Sequence, residues 1–378
     1  MIRLTDDQLA IREAVRRTME PFGETYWRAC DAEHRFPQEY RQAMAEGGWL
    51  GIAMPEAWGG SGLGVVDAAV MMEAVANSPG GMAAASAIHI NIFGPEAINR
   101  HGTDAQRARW LPRIVSGELI TCFGVTEPDA GLDTTRIKTR ATRTNEGWTI
   151  SGGKIWTTTA QQAERVTLLV RTTPIEEVSK PTEGLTLFFA PLDPKHVSIT
   201  EIPKMGRHAV NSNVVHYDAL PVTEEDMIGE EGKGFRCILD SLNPERVLIA
   251  AEAIGVGRQA LGRAVGYAKE RVVFGRPIGM NQSIQHPLAE SHMELEAAWL
   301  ATLHAAALSA QKLIIATGAP GILEDPSDPG SLASYMDLAG LARLRADGAL
   351  ADGMAPKAAA IERAIRGGVQ RVHVISHH

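Results

Sequence analysis

The side chain with the widest chemical reach in this sequence is a glutamate at the head of an apolar run. In SLNPERVLIA, residues 241–250, Glu245 is followed from Val247 onward by residues that are almost all apolar or small. Asn243 has the chemistry of an N-cap and Pro244 that of a first helical residue, so the pattern predicts a helix over 244–271 with Glu245 in its first turn. Two readings are open for that carboxylate. It complements the helix dipole, an effect of ~0.3–1 kcal/mol, or it acts as a general base. A base there needs an aprotic pocket that lifts its pKa toward a working value, against the downward pull of the dipole. Arg271, at the far end of the same pattern, has a planar fork suited to a pyrophosphate and equally suits a helix C-terminal cation. The cysteines, Cys30, Cys122 and Cys237, are odd in number and lack the paired spacing of a zinc site. They read as plain buried thiols of a reducing, cytoplasmic compartment, and no metal is expected.

Several kinds of segment must position these side chains. Residues 4–120 read as helical: LTDDQLAIREAVRRTME carries Leu4, Leu9, Ile11 and Val15 near helical spacing behind Thr5 as a cap. VVDAAVMMEAVAN and DAQRARWLPRIVSGE follow after the glycine-rich PEAWGGSGLG. From about Ile120 to residue 230 the texture is β-rich, with GWTISGGKIWTTTA, AERVTLLVRT, GLTLFFAPL and NSNVVHYDAL separated by Gly, Pro and Asn turns. Two long helices then follow, 244–271 and 282–310, rich enough in Ala, Leu and Ile to need neighbours on several sides. Beyond Ala310, KLIIAT and VQRVHVIS have strand patterns, and MDLAGLARLRADG and PKAAAIERAIRGG between them are helical, an α/β signature. The expected fold is therefore α+β and multidomain. It comprises an N-terminal helical domain (1–120), a central β-barrel-like domain (121–230), an incomplete bundle of long C-terminal helices (231–310) and an α/β-like tail (311–378).

The 378 residues, 44% hydrophobic with a formal charge of -8, suit two or three domains and offer no field for nucleic acid or anionic lipid. No apolar run reaches the ~18 residues of a membrane helix, and the first residues lack a signal-peptide core. A soluble protein without nucleic-acid or membrane partners is expected.

CFGVTEPDAGLDTTRIKTRATR, residues 122–143, followed by NEGWTISGGKIWTTTA, resembles the central signature of the acyl-CoA dehydrogenase family. ERVVFGRPIGMNQSIQHPLAE at 270–290 and the order of the segments resemble that family too, over about residues 1–305. The resemblance implies FAD, with Phe123, Val125, Thr126, Leu132, Trp156 and Thr158 around the isoalloxazine. It assigns Arg271, Val273, Phe274, Asn281 and Gln282 to the FAD of a neighbouring subunit, hence an oligomer, commonly a homotetramer and otherwise a dimer. It places the base at one of two positions, one of which is matched by Glu245, with Asn243 and Arg246 on the substrate side. The implied reaction is α,β-dehydrogenation of an acyl-CoA to the trans-2-enoyl thioester, with hydride passing to flavin N5 and electrons to an electron-transfer flavoprotein. Where the family usually has Gly-Ser-Asp, this chain has Gly131-Leu132-Asp133, and Leu132 cannot donate a hydrogen bond. A flavin oxidase or monooxygenase on the same fold, and a non-catalytic flavoprotein scaffold, are the alternative readings.

The family's more common base, in a Tyr-Glu-Gly-Thr stretch, and the glycine-rich motif before it do not occur in this sequence. The resemblance implies that one backbone donor to the thioester carbonyl goes with them, a loss of ~10²–10³ in rate for such donors. From about residue 306 the chain instead resembles a fragment of acetylglutamate kinase. Lys357 of DGMAPK matches a phosphate-contacting lysine there, but a solvated first-turn lysine is the preferred reading, since the glycine-rich N-terminal half of that kinase is absent. His377 and His378 alone define no metal site.

Overall fold

The computed structural model describes residues 4–307, 316–317, 338–346 and 375–376 of the 378. The chain divides into two compact units, Met1–Leu308 and Ser309–His378. The first unit opens with helices α1 (Asp6–Met19), α2 (Glu24–Ala32), α3 (Gln38–Glu46), α4 (Val65–Ala76), α5 (Gly81–Ser86), α6 (His89–Phe93), α7 (Glu96–His101) and α8 (Asp104–Val115). Thr5 and Thr103 start α1 and α8 with capping boxes closed by Gln8 and Gln106, which satisfies two orphan N–H groups at each end. α4 is buried from Ala68 to Ala76 and forms the axis of this half.

Strands β1 (Thr121–Gly124), β2 (Arg140–Thr144), β3 (Gly147–Thr158), β4 (Arg165–Arg171), β5 (Leu185–Pro191), β6 (Val197–Glu201), β7 (Ser212–Val222) and β8 (Met227–Ile228) form one sheet. Its order is β6-β7-β3-β2-β4-β5-β8, with β1 parallel to β4. The pairing of β3 with β7 slips between Lys154 and Thr157, so Ile155 and Trp156 bulge out of the ladder.

The helix carrying Glu245, α9, runs Gly234–Glu270, ten residues longer at its start than the 244–271 expected from Asn243 and Pro244. Asn243 is therefore no cap and Pro244 is interior, where it removes one i→i−4 hydrogen bond. Tertiary contacts outweigh that loss. Gly234 lies so close to β5 that a Cβ there would run into the Leu187 amide, and Cys237, Ile238 and Ser241 are buried. Ser241 Oγ donates to Gly94 O and accepts from Ala97 N, each at 3.1 Å, tying the extra turns to the break between α6 and α7. Further along, Gly255 lets α9 cross α4 closely, since a Cβ would meet the Glu73 carbonyl.

A hairpin follows, β9 (Val272–Val273) and β10 (Arg276–Pro277), turning on Phe274 and Gly275, both at positive φ. α10 then runs Gln282–Ala307. Glu73 of α4 binds it in place: Arg258 of α9 reaches Glu73 at 2.7 Å and Glu296 of α10 at 2.6 Å, and Arg12 of α1 reaches Glu73 at 3.3 Å. In the second unit β11 (Ala316–Thr317) pairs in parallel with β12 (Ile375–Ser376), and α11 (Leu338–Ala346) lies between them in sequence. The helical pattern at 356–368, Lys357, His377 and His378 lie outside the described residues. The three cysteines are buried and unpaired. No described helix is long and apolar enough to cross a membrane, and the described residues contain no cluster suited to a metal ion.

Candidate active site

Glu245 stands about three turns inside α9, half-buried, rather than in a first turn. The helix dipole, which acts within the terminal turns, therefore does not oppose a raised pKa here. Burial pushes the carboxyl above its usual range; His89 and Arg246 pull it down and Glu252 adds to the rise. Arg246 is exposed and its Nη1 donates to Asn243 Oδ1 at 2.6 Å, so these two expected substrate-side residues form one unit beside Glu245.

Seven residues, two turns, further along α9 comes a second carboxylate, Glu252, fully buried. His89 Nδ1 of α6 lies 3.0 and 3.2 Å from its two oxygens. The His89 ring touches Phe93 at 5.6 Å between centroids, and Phe93 meets Phe123 of β1 edge-on at 5.9 Å. The α9 carboxylates thus connect through α6 to the strand expected to line a flavin.

On that side β1 ends at Gly124 and the chain enters the Glu127–Ala130 turn, closed by N–H···O bonds of 3.1 Å in both directions. Thr126 O accepts from Ile155 N at 2.9 Å, which fastens this segment to the β3 bulge. Among the described residues the backbone N–H groups of Val125 and Thr126 find no partner. Next to them Trp156 is 57% exposed, at a left-handed φ of 62°. Such an orphaned edge and strained, uncovered indole are unusual for a core and point to function. Thr158 is half-buried in the β3–β7 ladder, and Leu132 is fully exposed on the loop that follows the turn.

Arg271, Val273, Phe274, Asn281 and Gln282 gather elsewhere, around the hairpin. Phe274 is fully exposed at φ 52°, and Asn281 Oδ1 accepts from Arg276 at 2.7 Å. From Glu245 to Arg271 α9 rises about 40 Å, which keeps the hairpin away from Glu245 of the same chain.

A helical domain, a sheet with an open strand edge and a long helix bearing a half-buried carboxylate frame the site. Residues 5–118, 122–220 and 232–319 match the family models for the N-terminal, middle and C-terminal domains of acyl-CoA dehydrogenases. The chain is 35% identical to the acyl-CoA dehydrogenase FadE12 of Mycobacterium tuberculosis over 309 residues, 80% of this chain and 77% of that one. It is 30% identical to the glutaryl-CoA dehydrogenase of Desulfococcus multivorans over 307 residues, 79% and 76% of the two chains. The butyryl-CoA dehydrogenase structure from Megasphaera elsdenii superposes with a TM-score of 0.76 at 29% identity, covering 82% of this chain and 81% of that one. The chain belongs to the acyl-CoA dehydrogenase family, and FAD is its cofactor. Residues 288–376 also match the amino acid kinase family, so 288–319 fall under two family models.

The residues present fit a flavin: the unpaired N–H groups of Val125 and Thr126 suit ring acceptors, and Trp156 offers a face. Sequence reasoning missed Glu252, His89, Glu127 and Lys154. Glu252 had a signal, since it breaks an apolar run two turns after Glu245; nothing local marks His89.

Proposed function

We propose that this chain dehydrogenates an acyl-CoA thioester between Cα and Cβ, giving the trans-2-enoyl thioester, with Glu245 as the base. The carrying observation is the half-buried Glu245 carboxyl, raised by burial and set mid-helix, free of the dipole that would hold it ionised. Its ionised form takes the α-proton onto a carboxylate oxygen; closing substrate over it removes water and strengthens it as a base. FAD, when bound, supplies the acceptor for the hydride leaving Cβ. The N–H groups of Val125 and Thr126 serve one edge of its ring system, Leu132 offers an apolar contact beside them, and Phe123, Trp156 and Thr158 orient it. Glu252 is unsuited to the same task, because it is fully buried and engaged by His89. Arg246 and Asn243 form the substrate-side contact for the CoA arm. Arg271, Val273, Phe274, Asn281 and Gln282 serve the FAD of a second subunit, a reading supported by the separation along α9. Electrons leave to an electron-transfer flavoprotein, and the setting is cytoplasmic.

The test is Glu245→Gln. The variant should bind FAD and acyl-CoA yet bleach the flavin at least ~10²-fold more slowly than the wild type. Flavin reduction at the wild-type rate would remove Glu245 from the mechanism.

A further inference from the structure

Lys154 is, among the described residues, the most deeply buried cation touching the Val125–Glu127 segment. Its side chain is 0% exposed, and its Nζ donates to Val125 O at 3.0 Å and to Glu127 Oε1 at 2.8 Å. Glu127 is in turn fixed by two backbone donors, Lys138 N at 2.6 Å and Thr139 N at 3.0 Å. Ile155 N, one residue after Lys154, holds Thr126 O. The carbonyls of Val125 and Thr126 and the side chain of Glu127 are thus all engaged from β3 or the strand entrance, while among the described residues the N–H groups of Val125 and Thr126 have no partner. Lys154 also starts the bulge that carries Trp156.

A buried ion pair adds little stability over apolar packing of the same volume. Nor does the Val125–Glu127 segment need a cation to be covered. The advantage is geometric: one ammonium group, with three directed donors, locks the turn and the bulge in one relative position.

We propose that Lys154, paired with Glu127, is a positioning residue that preorganises the flavin edge, holding the Val125 and Thr126 N–H groups aimed outward before the cofactor arrives. This rests on the flavin placement proposed above. The charged groups around the pair are Arg171 of β4, which feels Glu127, and the exposed Lys138–Asp129 pair at 3.1 Å. Burial would raise Glu127, but Lys154 and the two backbone donors outweigh it and hold the carboxyl below its usual range. Burial lowers Lys154 to about 8, against the pull of Glu127.

FAD-free protein is titrated with FAD by flavin fluorescence. Lys154→Met should lose FAD affinity on the order of 10–100-fold with its helical circular dichroism retained, and give a bound-flavin spectrum closer to that of free FAD. Wild-type affinity and spectrum in that variant would overturn the inference. Trp156→Ala separates the two claims. If it leaves FAD affinity unchanged, the flavin placement itself is wrong; if it weakens FAD while Lys154→Met does not, only the role of Lys154 fails.

A second measurement needs no variant and covers the case in which Lys154→Met does not fold. Wild-type FAD affinity should fall as pH rises from ~7 to ~9, through the loss of the Lys154 proton near 8. Because the folded pKa lies below the ordinary value of ~10.4, this group makes the fold more stable, not less, as pH rises across that window. Loss of FAD there reports geometry rather than unfolding, and an affinity flat with pH overturns the inference.

Discussion

Glu245 and Glu252 stand two turns apart on one face of α9, yet their surroundings give them different work. Glu252 is fully buried and paired with His89, so it is fixed; Glu245 is half-buried, with its nearest charged neighbours opposing one another. Environments that separate two carboxylates in this way are how one scaffold divides structural and acid–base roles. The burial that readies Glu245 also weighs on the fold. With its folded pKa raised, the native chain holds the proton to higher pH than the unfolded chain. Stability is therefore lost as pH rises from ~4.3 through the folded pKa. Glu245→Gln should match the wild type near pH 4 and exceed it at pH 7–8. Urea unfolding at the two pH values checks this, and equal stability at both would show that the carboxylate is not strained.

At the scale of elements, α9 is the part that positions everything else. Its first turns press on β5, its middle carries Glu245 and Glu252 past α6, and Gly255 lets it cross α4. The Asn243-Pro244 signal suggested a start at 244 because cap and proline rules are local. The start at Gly234 comes from burial of Cys237, Ile238 and Ser241 against the sheet and α7, which a local rule does not contain. Gly255→Val should force α4 and α9 apart, lowering stability by ~1–3 kcal/mol. Because the Arg258–Glu73–Glu296 network spans the same crossing, its effect should be cooperative. A thermal melt with unchanged Tm would show that the crossing has slack.

For the whole molecule, the separation of about 40 Å along α9 keeps the hairpin away from Glu245 of its own chain, in line with the proposal that it serves a second subunit. Val272, Phe274 and Met280 are exposed around that hairpin, an apolar surface suited to a second subunit. Mixing two inactive chains tests the arrangement. Trp156→Ala damages the flavin face and Phe274→Ala the contribution to a neighbour. Each alone should retain little FAD; mixed oligomers should recover up to half the sites, since one site then has both intact halves. Flavin content of the refolded mixture, read by absorbance, measures the recovery, and no gain over the separate variants would place both groups outside a shared site.

By itself the sequence determined the family and its order of helical, β and long-helix segments, through GVTEP, KIWTTT and RVVFGRPIG, because those stretches are contiguous and their spacing reflects local turns and pairings. It also singled out Glu245, Trp156 and Thr126, whose neighbours in sequence are informative. What only the tertiary structure decided were the relations across distance. Glu245 escapes the helix dipole because residues 234–243 dock on the sheet. Glu252 is hydrogen-bonded by a histidine 163 positions away, and Lys154 clamps a turn 27 positions before it. Burial and charge pairing arise from packing of separate segments, so no local pattern encodes them, and they set which carboxylate is held and which stays half-buried without a hydrogen-bonded partner among the described residues.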